Sequence, residues 1–366
     1  MTAQGSAAVI GAGISGLASA AALIRAGWRV DVFEKSERLP DAGAGISLMP
    51  NAVRALDFLG IGDAVRDLAE TDGMAGIRTM HGYWLTRMHA ADFTDRFGPL
   101  AILPRADLLQ LLVDTVPDGT VRYGVRIDSV DPEGSVRTDA GAADYDLVVG
   151  ADGLRSVVRA ACWPNAARPR YTGYTAWRFA TDELDEPPRH GAEVWTRGER
   201  FGYAPMPGGR AYCFAVQNAP VGGTDATLPD YGYWPAPVPE LVRAASSNGV
   251  LRDDVYYLPP LRSFVHGRVA LVGDAAHAMP PDLGQGAAQG LEDAVRLGAS
   301  SHDLALYDAE RRPRAQDVAR RSRRIGAMAQ WVSPRGIWLR NTAIRIRSVN
   351  GLIRVLAPVL DWQPRK

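Results

Sequence analysis

The sequence predicts an α/β fold: a parallel sheet flanked by helices, interrupted by an inserted, mostly antiparallel β-sheet and followed by C-terminal helices. Three observations carry this. An apolar run, Ala7 to Ile10, leads through a glycine turn into a helix and then into an alternating run, Arg29 to Glu34. Residues 166 to about 261 become rich in Tyr, Trp, Pro and Gly, with two-residue alternation. Buried-strand character returns at Val269 to Val272. The 366 residues suit two domains at about 100–200 residues each.

The elements follow in order. Ala7 to Ile10 ends at Gly11 and reads as a buried strand. Ile14 to Ala26 is dominated by apolar and small residues, with Gly27 as its C-cap. Ala52–Leu59 and Arg105–Val113 read as helices, Val121–Val130 as a strand pair or hairpin, and Asp146–Val149 as a short buried strand. Strand-like alternation marks Tyr171–Phe179, Glu193–Thr196 and Tyr212–Gln217. Gly273–Asp274 opens a turn, and Gly290–Gly298 is helical. The first domain is therefore expected to be discontinuous, over 1–70, 100–165 and 262–325. The inserted domain takes 71–99 and 166–261, and 326–366 forms a helical segment. On one helical wheel Arg340, Arg347 and Arg354 share a stripe opposite Trp338, Ile346, Val349, Leu352, Ile353 and Leu356, with Arg345 as the exception. That apolar face is expected to pack on the first domain, which argues against membrane or carrier-protein contact.

Composition excludes several classes. Forty-one basic and 41 acidic side chains give no net field to attract nucleic acid or an anionic surface. Cys162 and Cys213 are too few for a disulfide framework or a zinc site, and no metal is expected. No run approaches the ~18–20 apolar residues of a membrane span. A cytoplasmic monomer or homodimer is the expectation.

Gly11-x-Gly13-x-x-Gly16 lies between a strand and a helix, with Glu34 eighteen positions after Gly16. In that setting Gly11 makes a tight turn, Gly13 lets the backbone approach a pyrophosphate, and Gly16 allows close helix–strand packing. Ile14 and Ser15 open the helix whose N–H groups face the phosphates, and Glu34, followed by Lys35, can accept from a ribose hydroxyl. This predicts a dinucleotide site but does not separate NAD from FAD.

Two later segments bear on that choice. Gly150-Ala151-Asp152-Gly153-Leu154-Arg155-Ser156 and Gly273-Asp274-Ala275-Ala276-His277, the latter followed by Pro280-Pro281-Asp282-Leu283-Gly284-Gln285-Gly286, resemble the paired motifs of the single-component (class A) FAD-dependent monooxygenases, the group of para-hydroxybenzoate and salicylate hydroxylases. Gly43-Ala44-Gly45-Ile46-Ser47, Pro50-Asn51 and Arg105 ahead of Leu108 and Leu112 continue the likeness, which spans about residues 8 to 290.

The resemblance implies FAD, with NADPH or NADH as a transient electron donor. It also implies hydroxylation of an aromatic or polycyclic small molecule by O2 through a flavin C4a-hydroperoxide, in the setting of antibiotic biosynthesis. Epoxidation and Baeyer–Villiger insertion share that chemistry, and a flavin-binding protein without turnover is the alternative of another class. An NAD-dependent dehydrogenase would leave Asp274 to Gly286 without a role, and the tryptophan-flanked motif of the flavin-dependent halogenases is missing.

Expected FAD contacts are Gly11, Gly13, Ile14, Ser15, Gly16, Glu34, Lys35, Gly45, Ile46, Arg105, Asp152, Gly153, Gly273, Asp274, Gly284, Gly286 and Ala287. Asp274 can hold ribityl hydroxyls, with capping of the following helix as the lesser reading. The backbone of Gly284, Gln285 and Gly286 suits an anionic flavin edge, with Pro281 over the ring. Asp152 can bridge to the pyrophosphate or simply cap a turn. Arg159 is a phosphate contact or a surface arginine, and His277 a structural histidine rather than a proton relay. For substrate, Arg178, Tyr203 and Tyr212 stand out among Tyr174, Trp177, Trp195, Met206 and Phe214, since alternate positions of the inserted sheet face the cavity.

Overall fold

The computed structural model describes residues 4–39, 45–69, 76–139, 141–245, 249–347 and 349–364. Six strands form the central sheet in the order Val265–His266, Val269–Leu271, Leu147–Gly150, Ser6–Ile10, Arg29–Phe33, Val121–Arg122. All neighbours are parallel except the first pair, which is antiparallel. Ala7, Ala8, Val9 and the whole of Leu147–Gly150 are buried, as a sheet covered on both faces requires. The helix Ile14–Arg25 crosses between Ser6–Ile10 and Arg29–Phe33 and packs against Gly286–Ala299. Small residues set that approach. A Cβ on Gly298 would come within 2.8 Å of Ala22 Cβ, and one on Gly290 would overlap the Ser15 hydroxyl.

A second sheet has seven strands in the order Leu251–Tyr257, Arg170–Ala180, Arg210–Asn218, Glu199–Met206, Ala192–Trp195, Gly76–Thr79, Trp84–Arg87. Only the Ala192–Trp195/Gly76–Thr79 pair is parallel. One face carries Trp177, Phe179, Phe201, Tyr203 and Cys213 against Tyr231, Trp234, Val238 and Leu241. The other carries Met206 and Tyr212 towards Leu100 and Ile102, beside the two-stranded ribbon Gly45–Leu48/Ala101–Pro104. The α/β architecture with an antiparallel sheet and C-terminal helices is thus present as the sequence implied.

Two expectations change. Val121–Val130 is no hairpin. Val121–Arg122 joins the central sheet beside Phe33, whereas Ile127–Val130 starts a separate three-stranded sheet with Ser135–Thr138 and Gly141–Asp144. Alternation alone does not say which sheet a short strand joins. The C-terminal segment is two helices, Pro334–Arg345 and Val349–Leu360, so one wheel does not describe it. Arg340, assigned to the polar stripe, is buried. Its Nη1 donates to the Ala329 carbonyl at 2.8 Å and its guanidinium lies over Trp195. A cation at the carbonyl end of the preceding helix offsets the desolvation. Trp338 and Ile346 are correspondingly exposed, while Val359 and Leu360 pack with Phe97, Met279 and Val318.

Beneath the central sheet lies an ionic core. Glu292 and Asp293, adjacent on Gly286–Ala299, are fully buried, as is Arg311 from the helix Leu304–Ala329. Arg311 Nε donates to Asp293 at 2.7 Å and Nη1 to Glu292 at 2.5 Å, and Arg314 adds two further bonds to Glu292. Burial alone would raise the Asp293 carboxyl. His277, Arg311 and the Gly273 N–H outweigh it and hold that carboxyl down at about 2.

A carboxylate held below its unfolded value contributes stability that is complete above about pH 4 and lost as pH falls towards 2. Urea denaturation should therefore show stability declining from pH 4 to pH 2. Asp293→Asn should remove part of that decline and cost about 3 kcal/mol at pH 7, because it takes away one of the two carboxylates that offset the buried Arg311.

Candidate active site

The glycine loop is built as its spacing suggested. Gly11 has φ +105, closed to most side chains, and its N–H donates to the Phe33 carbonyl at 2.8 Å. A Cβ on Gly16 would overlap the Gly11 carbonyl oxygen, so helix and strand meet only because it is glycine. A Cβ on Gly13 meets nothing within 4 Å. The helix that follows has no side-chain cap, which leaves the N–H groups of its first turn, Ile14 and Ser15 included, facing open space. Glu34 fixes this loop: its carboxylate accepts from Ala12 N and Ser36 N, both at 2.9 Å. Ile14's side chain is buried in the core, so only its backbone is on offer, while Lys35 is exposed just past the strand.

A second glycine turn repeats the arrangement. Gly284 is left-handed at φ +62, and Gly286–Ala299 begins without a side-chain cap at Gln285. A Cβ on Gly286 again meets nothing within 4 Å. The Gln285 side chain points the other way, into the ionic core. Its Oε1 accepts from Asn51 Nδ2 at 2.9 Å and from Gln289 Nε2 at 3.0 Å. Gln285 can therefore serve the site only through its backbone, with its amide anchoring the turn. Ala287 lies in the open first turn of the same helix. Pro281 is exposed on the turn Pro281–Leu283, whose Asp282 is clamped by Arg200 and by the Tyr174 hydroxyl, the latter at 2.8 Å.

The Gly273 N–H donates to Asp293 Oδ2 at 2.9 Å, and a Cβ there would overlap the Ser15 hydroxyl, so this turn touches the first glycine loop. Asp274 follows with an exposed carboxylate. It caps nothing; the cap position is Gly273. His277 is buried with Nε2 2.5 Å from Asp293, a structural histidine. Asp152 caps a helix: Oδ2 accepts from Val157 N and Val158 N at the start of Val157–Cys162, while Oδ1 is enclosed with no partner among the described residues. Beside it Gly153, at φ +78, faces open space. Arg159 is neither a phosphate contact nor a surface arginine. It is buried, and it donates to the carbonyls of Ala275 and Leu154 at 2.8 and 2.6 Å. This braces the two motifs against each other.

Across from the turns stands the inner face of the seven-stranded sheet. Arg178 and Tyr212 lie on it, together with Tyr174, Met206 and Phe214, and Gly45 is pressed against Tyr212 and Met206. Ile46, next on the ribbon, is half-buried; Gly43 and Ala44 lie outside the described residues. Arg105 starts the helix after Pro104 and is accessible, yet desolvation lowers its guanidinium, Arg178 lowers it further, and Asp274 counteracts. Arg105 thus stands close enough to Arg178, Asp274 and Tyr212 for their charges to act on one another. Tyr212 is raised by burial against the opposing pull of Arg178 and Arg105, which keeps it a phenol at neutral pH. Burial would lower Arg178, but Tyr212, Asp253 and Asp274 raise it, so it remains charged.

Tyr203 corrects an expectation. It pairs with Cys213 and shares its face, so its ring is in the outer layer under Tyr231 and Trp234, and its hydroxyl meets Arg78. Trp177 faces outward too. Period-two alternation allowed either parity, and nothing local chose between them. The sequence reading also missed Arg200, Asp282, Glu292, Asp293 and Arg311. The available signal was a Glu–Asp pair inside the apolar run Gly290–Val295.

The residues fit FAD. Two uncapped helix N-termini with unobstructed glycines suit a diphosphate and an anionic ring edge, Glu34 and Asp274 offer acceptors to sugar and ribityl hydroxyls, and the Asp152 Oδ1 lacks a donor. Comparison with known proteins agrees. The sequence profile of the FAD binding domain family matches residues 5–167 and 260–322. The chain is 35% identical over 93% of its length to aurachin C monooxygenase/isomerase of Stigmatella aurantiaca, covering 94% of that protein. It is 33% identical over 92% of its length to 2-heptyl-3-hydroxy-4(1H)-quinolone synthase of Pseudomonas aeruginosa, covering 92% of it. The crystal structure of Klebsiella pneumoniae HpxO with FAD and uric acid superposes with a TM-score of 0.88 at 28% identity, covering 98% of this chain and 97% of the other.

Gly13 and Gly16 should separate binding from folding. Gly13 has an ordinary φ of −76 and open space around it, so Gly13→Ala should leave thermal unfolding of the apoprotein unchanged and weaken FAD about tenfold or more, read by flavin fluorescence. Gly16→Ala should destabilise the apoprotein itself.

Proposed function

The chain belongs to the family of FAD-dependent monooxygenases, and we propose that it hydroxylates an aromatic or polycyclic small molecule, consuming NADPH or NADH and O2. The observation that carries this reading is the facing of two open glycine turns by a sheet whose inner surface holds a cationic Arg178 and a neutral Tyr212 among apolar side chains.

When bound, FAD supplies the redox chemistry, accepting a hydride from the nicotinamide donor and passing one oxygen atom of O2 to the substrate. The chain does the rest. N–H groups at Ile14, Ser15 and Gly16 would hold the diphosphate, and those at Gly286 and Ala287 would stabilise negative charge on the ring edge. Asp274 would accept from ribityl hydroxyls. Arg178 would attract a phenolate, enolate or carboxylate oxygen, and the Tyr212 hydroxyl would complete its orientation. Met206, Phe214, Leu100 and Ile102 exclude water, which prevents loss of the activated oxygen as peroxide. The quinolone in the second relative's name makes fused nitrogen heteroaromatics the first substrates to try.

The test uses FAD-loaded protein with NADPH or NADH and a panel of phenols, hydroxyquinolines, quinolones and polyketide-like aromatics. Coenzyme oxidation, peroxide and product mass are followed together. The expected outcome is substrate-stimulated oxidation with a product heavier by one oxygen, whose position by NMR separates hydroxylation from epoxidation or ring insertion. Bound FAD with no coenzyme oxidation under any condition would make the chain a non-turnover flavoprotein. Arg178→Ala should raise KM about tenfold or more with a smaller effect on kcat, as expected for loss of a charge-assisted bond. Tyr203→Phe, on the outer face, should change neither.

A further inference from the structure

A net charge of zero conceals a strong local bias. Residues 318–360 carry nine arginines and no carboxylate. Some are satisfied within the fold: Arg320 and Arg321 pair with Asp317, Arg323 lies over Tyr257, and Arg340 is buried. Arg335, Arg345 and Arg347 are exposed on or just after the helix Pro334–Arg345. That helix buries Arg340 and turns Trp338 and Leu339 outward. Trp338 is 68% exposed, Leu339 56% and Ile346 77%. Positions 335, 338, 339, 342 and 346 follow helical spacing, so Arg335, Trp338, Leu339 and Ile346 share one outward face. Trp331 and Val332, just before the helix, are exposed as well. The helix packs beside the strand Trp84–Arg87, where Tyr83 is 74% exposed and Trp84 lies between the guanidinium groups of Arg78 and Arg87.

We propose that this face docks on an anionic lipid surface. Indole and aliphatic side chains projecting between arginines, with no acidic residue among them, form the pattern that inserts shallowly at the headgroup boundary while cations meet lipid phosphates. No helix among the described residues is long and apolar enough to cross a membrane, so the contact is peripheral. A second copy of the chain fits the face less well, since a two-fold contact would set the same arginines against each other. The inference stands apart from the monooxygenase reading, as it uses no residue of the cleft.

The test is flotation of full-length, FAD-loaded protein with vesicles of phosphatidylcholine alone or with about 30 mol% phosphatidylglycerol. The protein should float with the mixed vesicles and at least about tenfold less with pure phosphatidylcholine or in about 0.5 M NaCl. Trp338→Ser with Leu339→Ser, and separately Arg345→Glu with Arg347→Glu, should each lower partitioning about tenfold while the melting temperature and flavin content stay unchanged. No flotation with either vesicle, or flotation indifferent to both variants, would overturn the proposal. So would a concentration-dependent dimer abolished by Trp338→Ser, since it would assign the face to a second copy of the chain.

Discussion

Two adjacent buried carboxylates, Glu292 and Asp293, constrain the rest of the molecule. Asp293 accepts from the Gly273 N–H and from Arg311 and contacts His277, which fixes the turn presenting Asp274. Glu292 accepts from Asn51, Gln289, Arg311 and Arg314, and Asn51 and Gln289 in turn hold Gln285. The Gly273–Asp274 turn and the Gly284–Gly286 turn are therefore both tied to one helix. Replacing such a core with packed apolar residues is often neutral or stabilising, so its value here is geometric rather than energetic. Apolar side chains could fill the volume, but they would not dictate where two backbone turns point.

The inserted sheet divides its labour by parity. Odd-numbered positions of Arg170–Ala180, Glu199–Met206 and Arg210–Asn218 build an outer aromatic layer with Tyr231 and Trp234, while even-numbered positions face the cleft. Arg200 and Asp282 join the two halves: the sheet grips the turn bearing Pro281 through a buried ion pair, with Tyr174 as a second donor. The sheet face bearing Arg178 and Tyr212 and the turn bearing Pro281 are thus held at one separation.

Much of this was legible in the sequence, because it rests on local rules. The Gly11–Gly16 fingerprint, the strand–helix–strand opening and the return of a buried strand at Val269 need only short windows to be recognised. Arg105–Val113 appears with the bounds its apolar spacing suggested. What was illegible is long-range. Tyr203 and Tyr212 look alike in sequence, and only pairing with neighbouring strands tells which one sees the cleft. Arg340 looked solvated because a wheel cannot foresee that the Ala329 carbonyl and Trp195 wait for it. The Glu292–Arg311 pair spans nineteen residues and two helices, beyond the reach of periodicity.

Arg54 and Arg314 carry a consequence for the order of folding. Arg54 donates to the carbonyls of Phe97, Leu360 and Trp362, and Arg314 binds both Glu292 and the carbonyls of Pro358 and Val359. The strand–helix–strand unit at the start of the chain has its local contacts within the first few dozen residues synthesised. The helix that bears Gly286 is not fully seated until residues 358–362 have left the ribosome and closed over those guanidinium groups. Because the helix Ile14–Arg25 itself packs along Gly286–Ala299, neither glycine turn has all of its contacts until that end of the chain is made.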